Sequence, residues 1–133
     1  MKSASAPRGV RSMICVALLT LSLGAAAQNL LDFDDWMQRI EDGSLDLQRH
    51  IAARDPKAAS GAAQEIEELY GLMEKFFEKR GSADDAVRLS GEGRELAVRA
   101  RADIAAGRFV SARRNALAIA HGCRDCHDNY KPL

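Results

Sequence analysis

The stretch from Pro56 to Arg80 carries one continuous apolar stripe, because its apolar residues recur at steps of three and four. Charged residues mostly cover the other side, as expected for an amphipathic helix. The stripe consists of Ala59, Ala62, Ile66, Leu69, Met73, Phe76 and Phe77. Pro56 suits the first helical turn and Gly81 suits a left-handed C-terminal cap. This stretch therefore predicts a long helix with one buried face.

Three further stretches show helical spacing. They run from about Asp32 to Arg54, from Ser82 to Gly107 and from about Arg108 to Asn129. Gly43-Ser44 weakens the middle of the first, and small residues near Gly93 indicate either a close neighbour or a weak point in the third. Because the connections are only a few residues long, neighbouring helices should be antiparallel. We therefore expect one all-α domain, an up-down four-helix bundle.

The N-terminal segment has the composition of a secretory signal peptide. A basic region that includes Lys2 and Arg8 precedes a short apolar run from Met13 to Leu23, and small residues suited to cleavage follow at 25–27. The apolar run is too short to remain as a membrane-spanning helix. We therefore expect residues 1–27 to be removed and residues 28–133 to form a periplasmic domain without a membrane span.

The number of cysteines and the net charge of the mature chain limit the classes of protein to which this domain can belong. Cys15 leaves with the signal peptide, so Cys123 and Cys126 are the only thiols that remain and no disulfide framework is possible. A large buried cofactor would stabilise such a small domain instead. The full chain has 19 basic and 19 acidic residues, and the loss of three basic residues leaves a charge of about −3. This balance gives no electrostatic footprint for nucleic acid.

Near the C-terminus the sequence reads Cys123-Arg124-Asp125-Cys126-His127, which is the spacing of covalent c-type haem attachment. On a helix the two thiols and the imidazole share one face. Two such thiols can bond to one edge of a haem while the imidazole binds its iron. A dithiol redox pair would need a strand–helix context, and a zinc site would need a second ligand pair. We therefore expect one covalently attached haem c; a purely structural helix bundle with an accidental motif is a further alternative.

The extended motif is Cys123-x-x-Cys126-His127-x-x-Tyr130-Lys131, and it ends an exported four-helix chain. In these features the sequence resembles the cytochrome c prime family and its low-spin relatives, over essentially the whole mature chain. The resemblance implies that both cysteines are thioether sites and that the histidine is the proximal iron ligand. It also implies that Tyr130 and Lys131 lie close to the haem, although a solvated residue at the chain end is an equally good reading of Lys131.

The resemblance further implies that the first helix covers the distal side of the haem, where Met37 matches the family's first-helix methionine. Met37 is therefore the expected second axial ligand. Met73 and His50 are the alternatives, but Met73 lies in the centre of an apolar stripe and is expected to pack in the core. His50 lies one residue off the inward face and is expected to be exposed, and His121 is expected at the surface.

Together these expectations describe a periplasmic monohaem c-type cytochrome. It would not be an enzyme, but would carry single electrons between periplasmic or membrane-bound redox proteins. Ligation by His127 and Met37 would raise the reduction potential of the iron. The alternative is a five-coordinate protein that binds nitric oxide or another small gas at an open distal face. The sequence leaves open whether two chains form a homodimer.

Overall fold

The computed structural model describes the backbone of residues 8–81 and 83–130, and the side chains of residues 30–81 and 83–128. The chain is all-helical, with four helices packed against each other, as predicted for a four-helix bundle. These helices are α1 (Arg8–Ala52), α2 (Pro56–Arg80), α3 (Asp84–Ala105) and α4 (Phe109–Tyr130). No helix in the described part of the chain is long and apolar enough to cross a membrane.

The chain divides into two compact units, Met1–Asp32 and Phe33–Leu133. The predicted signal peptide falls in the first unit, and its side chains lie outside the described residues. Its cleavage stays a prediction. The packing and the site described below belong to the second unit.

The helix α2 begins and ends where the sequence predicts. Asp55 caps its N-terminus, because the side-chain Oδ1 accepts a hydrogen bond from the Ala58 N–H (3.0 Å), and Pro56 follows at the first helical position. At the other end Gly81 adopts a positive φ of 66° and donates its N–H to the Phe77 carbonyl (3.2 Å). Its ψ of 167° is extended, so the left-handed cap that we expected is not formed.

The pair Gly43-Ser44 does not interrupt α1, which continues to Ala52. A Cβ at Gly43 would lie 3.4 Å from Cγ1 of Ile66, so the missing side chain allows α1 and α2 to approach closely. Ser44 is buried, and its Oγ has no hydrogen-bond partner among the described residues. Tertiary packing therefore outweighs the weak helix propensity of this pair.

The start of α3 differs from expectation. The run Ser82-Ala83-Asp84-Asp85 predicts a capping side chain followed by carboxylates in the first turn. The cap position is instead held by Ala83, which makes no side-chain cap. Asp84 and Asp85 do occupy the first turn, where their charge complements the helix dipole.

Helical spacing predicts a buried stripe on α3 that consists of Ala86, Leu89, Gly93, Leu96, Ala97, Ala100 and Ile104. The stripe is largely confirmed, but Leu89 and Leu96 are only half-buried, and Ser90 is buried. The Ser90 Oγ donates to the Ala86 carbonyl (2.8 Å), and this bond lets the hydroxyl lie inside the bundle. Fully buried alanines are common on both α3 and α4: Ala86, Ala97, Ala100, Ala112 and Ala116.

Four interhelical contacts show that α1, α2 and α3 are consecutive antiparallel neighbours, since later residues of one helix meet earlier residues of the next. They are Phe33–Phe76 (ring centroids 4.8 Å apart), Arg39–Glu65 (2.6 Å), Glu74–Arg94 (2.9 Å) and Glu67–Arg101 (3.1 Å). Partly exposed ion pairs contribute only roughly 0–1 kcal/mol each. The packing therefore depends mainly on the apolar core, whose largest fully buried side chains are Leu47, Ile66, Ile104 and Ile119.

The connection from α3 to α4 is organised around Asp103, whose side chain is buried. Its carboxylate accepts hydrogen bonds from the Ser111 side chain, from Nε of Arg108 (2.8 Å) and from Nδ2 of Asn115 (3.0 Å). These hydrogen bonds, first from Ser111 and then from Arg108, hold the pKa of Asp103 below its ordinary value of 3.8. The ionised carboxylate therefore joins the end of one helix to the beginning of the next.

We expect Asp103→Asn to be less stable than the wild type at neutral pH, with a difference that shrinks in acid. A carboxylate whose pKa is lowered by folding stabilises the folded state fully above its unfolded pKa, about 4. That stabilisation is lost as the pH falls through the lower folded pKa. Urea unfolding at several pH values between neutral and acid measures the difference. Asp42→Asn, at an exposed position on α1, controls for the loss of a carboxylate; a pH-independent difference for Asp103→Asn would contradict this role.

Candidate cofactor site

The last turns of α4 form one wall of a cleft. Cys123, Cys126 and His127 line it together, and each is half-buried. Their shared helix face, predicted from their spacing, explains this arrangement. The cleft, together with the solvent-open space at its mouth, measures about 320 Å³. Two thiols and an imidazole therefore lie on one wall of a single space.

The other walls of the cleft come from α1 and α2. On α1 the cleft is lined by Met37 and by the residues three and four positions after it, Ile40 and Glu41. This spacing places them on one face of the helix. Tyr70 and Met73 line it from α2. Apart from Glu41 at an exposed position, these two walls offer hydrocarbon, thioether and phenol groups. A thioether thus lines the same mainly apolar space as the thiols and the imidazole.

Tyr70 is the buried polar group closest to the thiols. Its hydroxyl lies 3.9 Å from Sγ of Cys123, at the length of a weak hydrogen bond to sulfur. Its ring packs against Gly93 of α3, where a Cβ would lie only 2.5 Å from Cζ. Burial, and secondarily the neighbouring Cys123, raises the pKa of Tyr70 well above its ordinary value. The phenol therefore stays protonated and faces the sulfur across the cleft.

Both cysteines of the motif are free thiols. Burial raises the pKa of Cys123, and the hydrogen bond with Tyr70 opposes this shift. Burial also raises the pKa of Cys126, with smaller contributions from Cys123 and Asp85. Both groups are therefore neutral thiols at neutral pH, and so poor metal ligands without deprotonation.

The structure brings four of the predicted site residues together, since Met37 lines the same cleft as the three residues of the motif. Met73 is buried, as expected of a core residue, but it also lines the cleft. Of Tyr130 only the backbone, at the end of α4, is described, and Lys131 lies outside the described residues. Their predicted positions close to a haem therefore stay predictions.

Two histidines lie elsewhere. His50 is half-buried rather than exposed as predicted, and it does not line the cleft. His121 is exposed as predicted, and Arg124 donates to its Nδ1 (2.8 Å). Its ring nitrogen is therefore an acceptor on the outer face of α4, since guanidinium groups can only donate.

The sequence did not identify every lining residue. Glu41 and Ile40 were missed, although their positions three and four residues after Met37 are a signal that would have found them. A haem pocket is expected to contain some of the large aromatic residues Trp36, Tyr70, Phe76 and Phe77, and of these Tyr70 lines the cleft. Trp36, Phe76 and Phe77 instead form a cluster with Phe33. Helical spacing gives no means of separating these two groups.

The donor set of the cleft fits the haem that the motif implies. Covalent attachment needs two thiols on one side, and an axial ligand needs a nitrogen donor beside them. Ile40 and Met73 provide apolar surface of the kind that a porphyrin contacts. Within residues 30–81 and 83–128, no three His, Cys, Asp or Glu side chains converge as a closed zinc site would require.

Comparison with known proteins adds no further constraint. The resemblance to the cytochrome c prime family therefore depends on the sequence features given above and stays a prediction. No protein-family model, no curated protein and no solved structure matches the chain.

Proposed function

We propose that the protein is a monohaem c-type cytochrome that carries single electrons in the periplasm. In this proposal Cys123 and Cys126 hold the haem as thioethers and His127 binds the iron. Met37 is the second axial ligand. The partners are redox proteins of the periplasm or of the adjoining membrane.

One observation carries the proposal: the thiols, the imidazole and the Met37 thioether line the same largely apolar cleft. Met37 lies on α1 and the motif lies on α4, and 86 positions of sequence separate Met37 from Cys123. Their convergence on one cleft supports a common cofactor.

Each lining residue has a stated task in this proposal. When bound, a haem supplies a reversible one-electron couple at its iron. His127 from α4 and Met37 from α1 would bind the iron, and a methionine ligand favours the reduced state. Ile40, Met73 and the ring of Tyr70 exclude water from the cleft. The exposed carboxylate of Glu41 keeps the open side of the cleft polar.

We expect the wild-type holoprotein to be low-spin in both oxidation states and Met37→Leu to become high-spin. Leucine preserves the volume of methionine, so the substitution should cost less than about 1.5 kcal/mol of stability while it removes the sulfur ligand. The reduction potential should fall by a measurable part of the roughly 0.8 V range that axial ligands set. Visible spectroscopy and potentiometric titration measure both changes.

Met73→Leu is the matched control, since Met73 lines the same cleft from α2. Its spectrum and potential should stay close to those of the wild type. If Met73→Leu becomes high-spin and Met37→Leu does not, the ligand assignment moves to α2. A high-spin wild type that Met37→Leu leaves unchanged would instead favour the five-coordinate, gas-binding alternative.

A further inference from the structure

The part of the chain from Ile104 to Arg124 contains four arginines and no acidic residue, although the whole chain has as many acidic as basic residues. Most of this part forms α4. The six residues on its outward side recur at helical steps, so they form one line along the helix. We call this line the basic stripe: Val110, Arg113, Arg114, Leu117, His121 and Arg124.

All six residues of the basic stripe are exposed. Ala112, Ala116 and Ile119, on the opposite side of α4, are fully buried in the bundle. The thiols and the imidazole of the cleft also lie on that inner side. The basic stripe is therefore a free surface that runs beside the candidate cofactor site on the same helix.

The arginines of the basic stripe are less neutralised than those of α3. Arg113 and Arg114 form no ion pair with the described residues, and Arg114 acts on Asp103 only at longer range. On α3, by contrast, each described arginine pairs with a glutamate: Arg88–Glu92, Arg94–Glu74, Arg99–Glu95 and Arg101–Glu67. Beyond the stripe α4 also exposes Asp125 and Asp128, so the positive charge available to an external partner is mainly that of Arg113 and Arg114.

Apolar residues lie between these charges. Val110 is 78% exposed and Leu117 is 40% exposed. Arginine mixed with apolar side chains on one face is typical of protein–protein interfaces. A helix that lies on a membrane differs, because its apolar and basic residues take opposite faces. In α4 the opposite face is already buried in the bundle, so the pattern favours a protein partner.

We infer that the basic stripe docks an acidic surface of a protein partner, the redox protein with which this chain exchanges electrons. The identification of the partner as a redox protein rests on the proposed function. The existence of the docking surface does not depend on that function. A partner seated on the stripe would be separated from the cleft by the width of α4, about 10–12 Å with side chains.

A carboxylate-terminated film on gold serves as the acidic surface in the test. A quartz microbalance measures adsorption of the holoprotein, and voltammetry on the same film measures electron exchange. We expect Arg113→Gln/Arg114→Gln to weaken adsorption about tenfold and to reduce its dependence on salt. Lys75→Gln/Lys79→Gln removes the same charge from exposed positions of α2 and should change adsorption less than about twofold.

Equal losses in the two double variants would overturn the inference, because net charge alone would then explain adsorption. Displacement from the film by poly-L-glutamate, rather than by duplex DNA or phosphatidylglycerol vesicles at equal anionic charge, supports a protein partner. More effective displacement by DNA or by vesicles would overturn that choice. Adsorption that depends on the stripe but gives no voltammetric wave would leave the docking surface standing and contradict the proposed electron transfer.

Discussion

Gly93→Val should lower the free energy of unfolding by about 3 kcal/mol, at the upper end of the usual cost of overpacking a core. A Cβ at Gly93 would lie 2.5 Å, 2.6 Å and 2.7 Å from three ring carbons of Tyr70. The ring is buried and cannot turn out into solvent. Valine adds two more carbons in the same space, so either the ring enters the cleft or α2 and α3 move apart. Urea unfolding monitored by far-ultraviolet circular dichroism measures the loss.

Gly61→Val is the control, because nothing lies within 4 Å of a Cβ at Gly61 in α2. Its effect should stay within about 0.5 kcal/mol. In a Tyr70→Ala background, Gly93→Val should lose most of its cost, since the two positions share one contact. If Gly93→Val is as stable as the wild type, the close packing between α2 and α3 described above is wrong.

Cys123→Ser/Cys126→Ser should abolish covalent haem attachment entirely. The mature domain is expected to contain no other thiol, so no second pair can replace them. Wild-type protein should keep its haem absorbance after denaturation and acid–acetone extraction, whereas the double variant should release all of it. Each single variant should retain one thioether and remain coloured. Mass spectrometry of the denatured chains measures the attached haem directly.

Cys15→Ser is the matched control for this experiment. Cys15 lies in the predicted signal peptide, so the substitution should leave haem attachment unchanged. Haem release from denatured wild-type protein would contradict the proposed thioethers, whatever the spectrum of the native protein. A haem that survives in Cys123→Ser/Cys126→Ser would place the attachment elsewhere in the chain.

The bounds of α2 were predictable because strong local signals define them. Asp55-Pro56 fixes one end and Gly81 the other, and neither signal depends on the rest of the fold. Most of the buried face of α3 also follows from helical spacing, but the burial of Ser90 in place of Leu89 was not predictable in the same way. The Ser90 hydroxyl can be buried because it donates a hydrogen bond to a backbone carbonyl of its own helix. Only the packing of the neighbouring helices determines that Ser90, and not Leu89, takes the buried position.

In the candidate site, too, some positions were predictable from local spacing and others were not. Spacing alone places Cys123, Cys126 and His127 on one face of a helix, and the structure places Met37 in the same cleft. The position of Tyr70 was not predictable, because it depends on Gly93 in another helix. The sequence carries signals for local geometry. The contact between the Tyr70 ring and Gly93, in contrast, forms only when α2 and α3 pack together.

The placement of the cleft and the basic stripe on opposite sides of α4 has a consequence for how the protein can diverge. Substitutions at Arg113 or Arg114 replace exposed side chains and leave the inner face of the helix untouched. If the stripe docks a partner as inferred, partner preference can therefore change without any change to the residues that line the cleft. The same separation makes α4 a practical target for engineering, because charge reversal along its outer face would redirect the protein to basic partners.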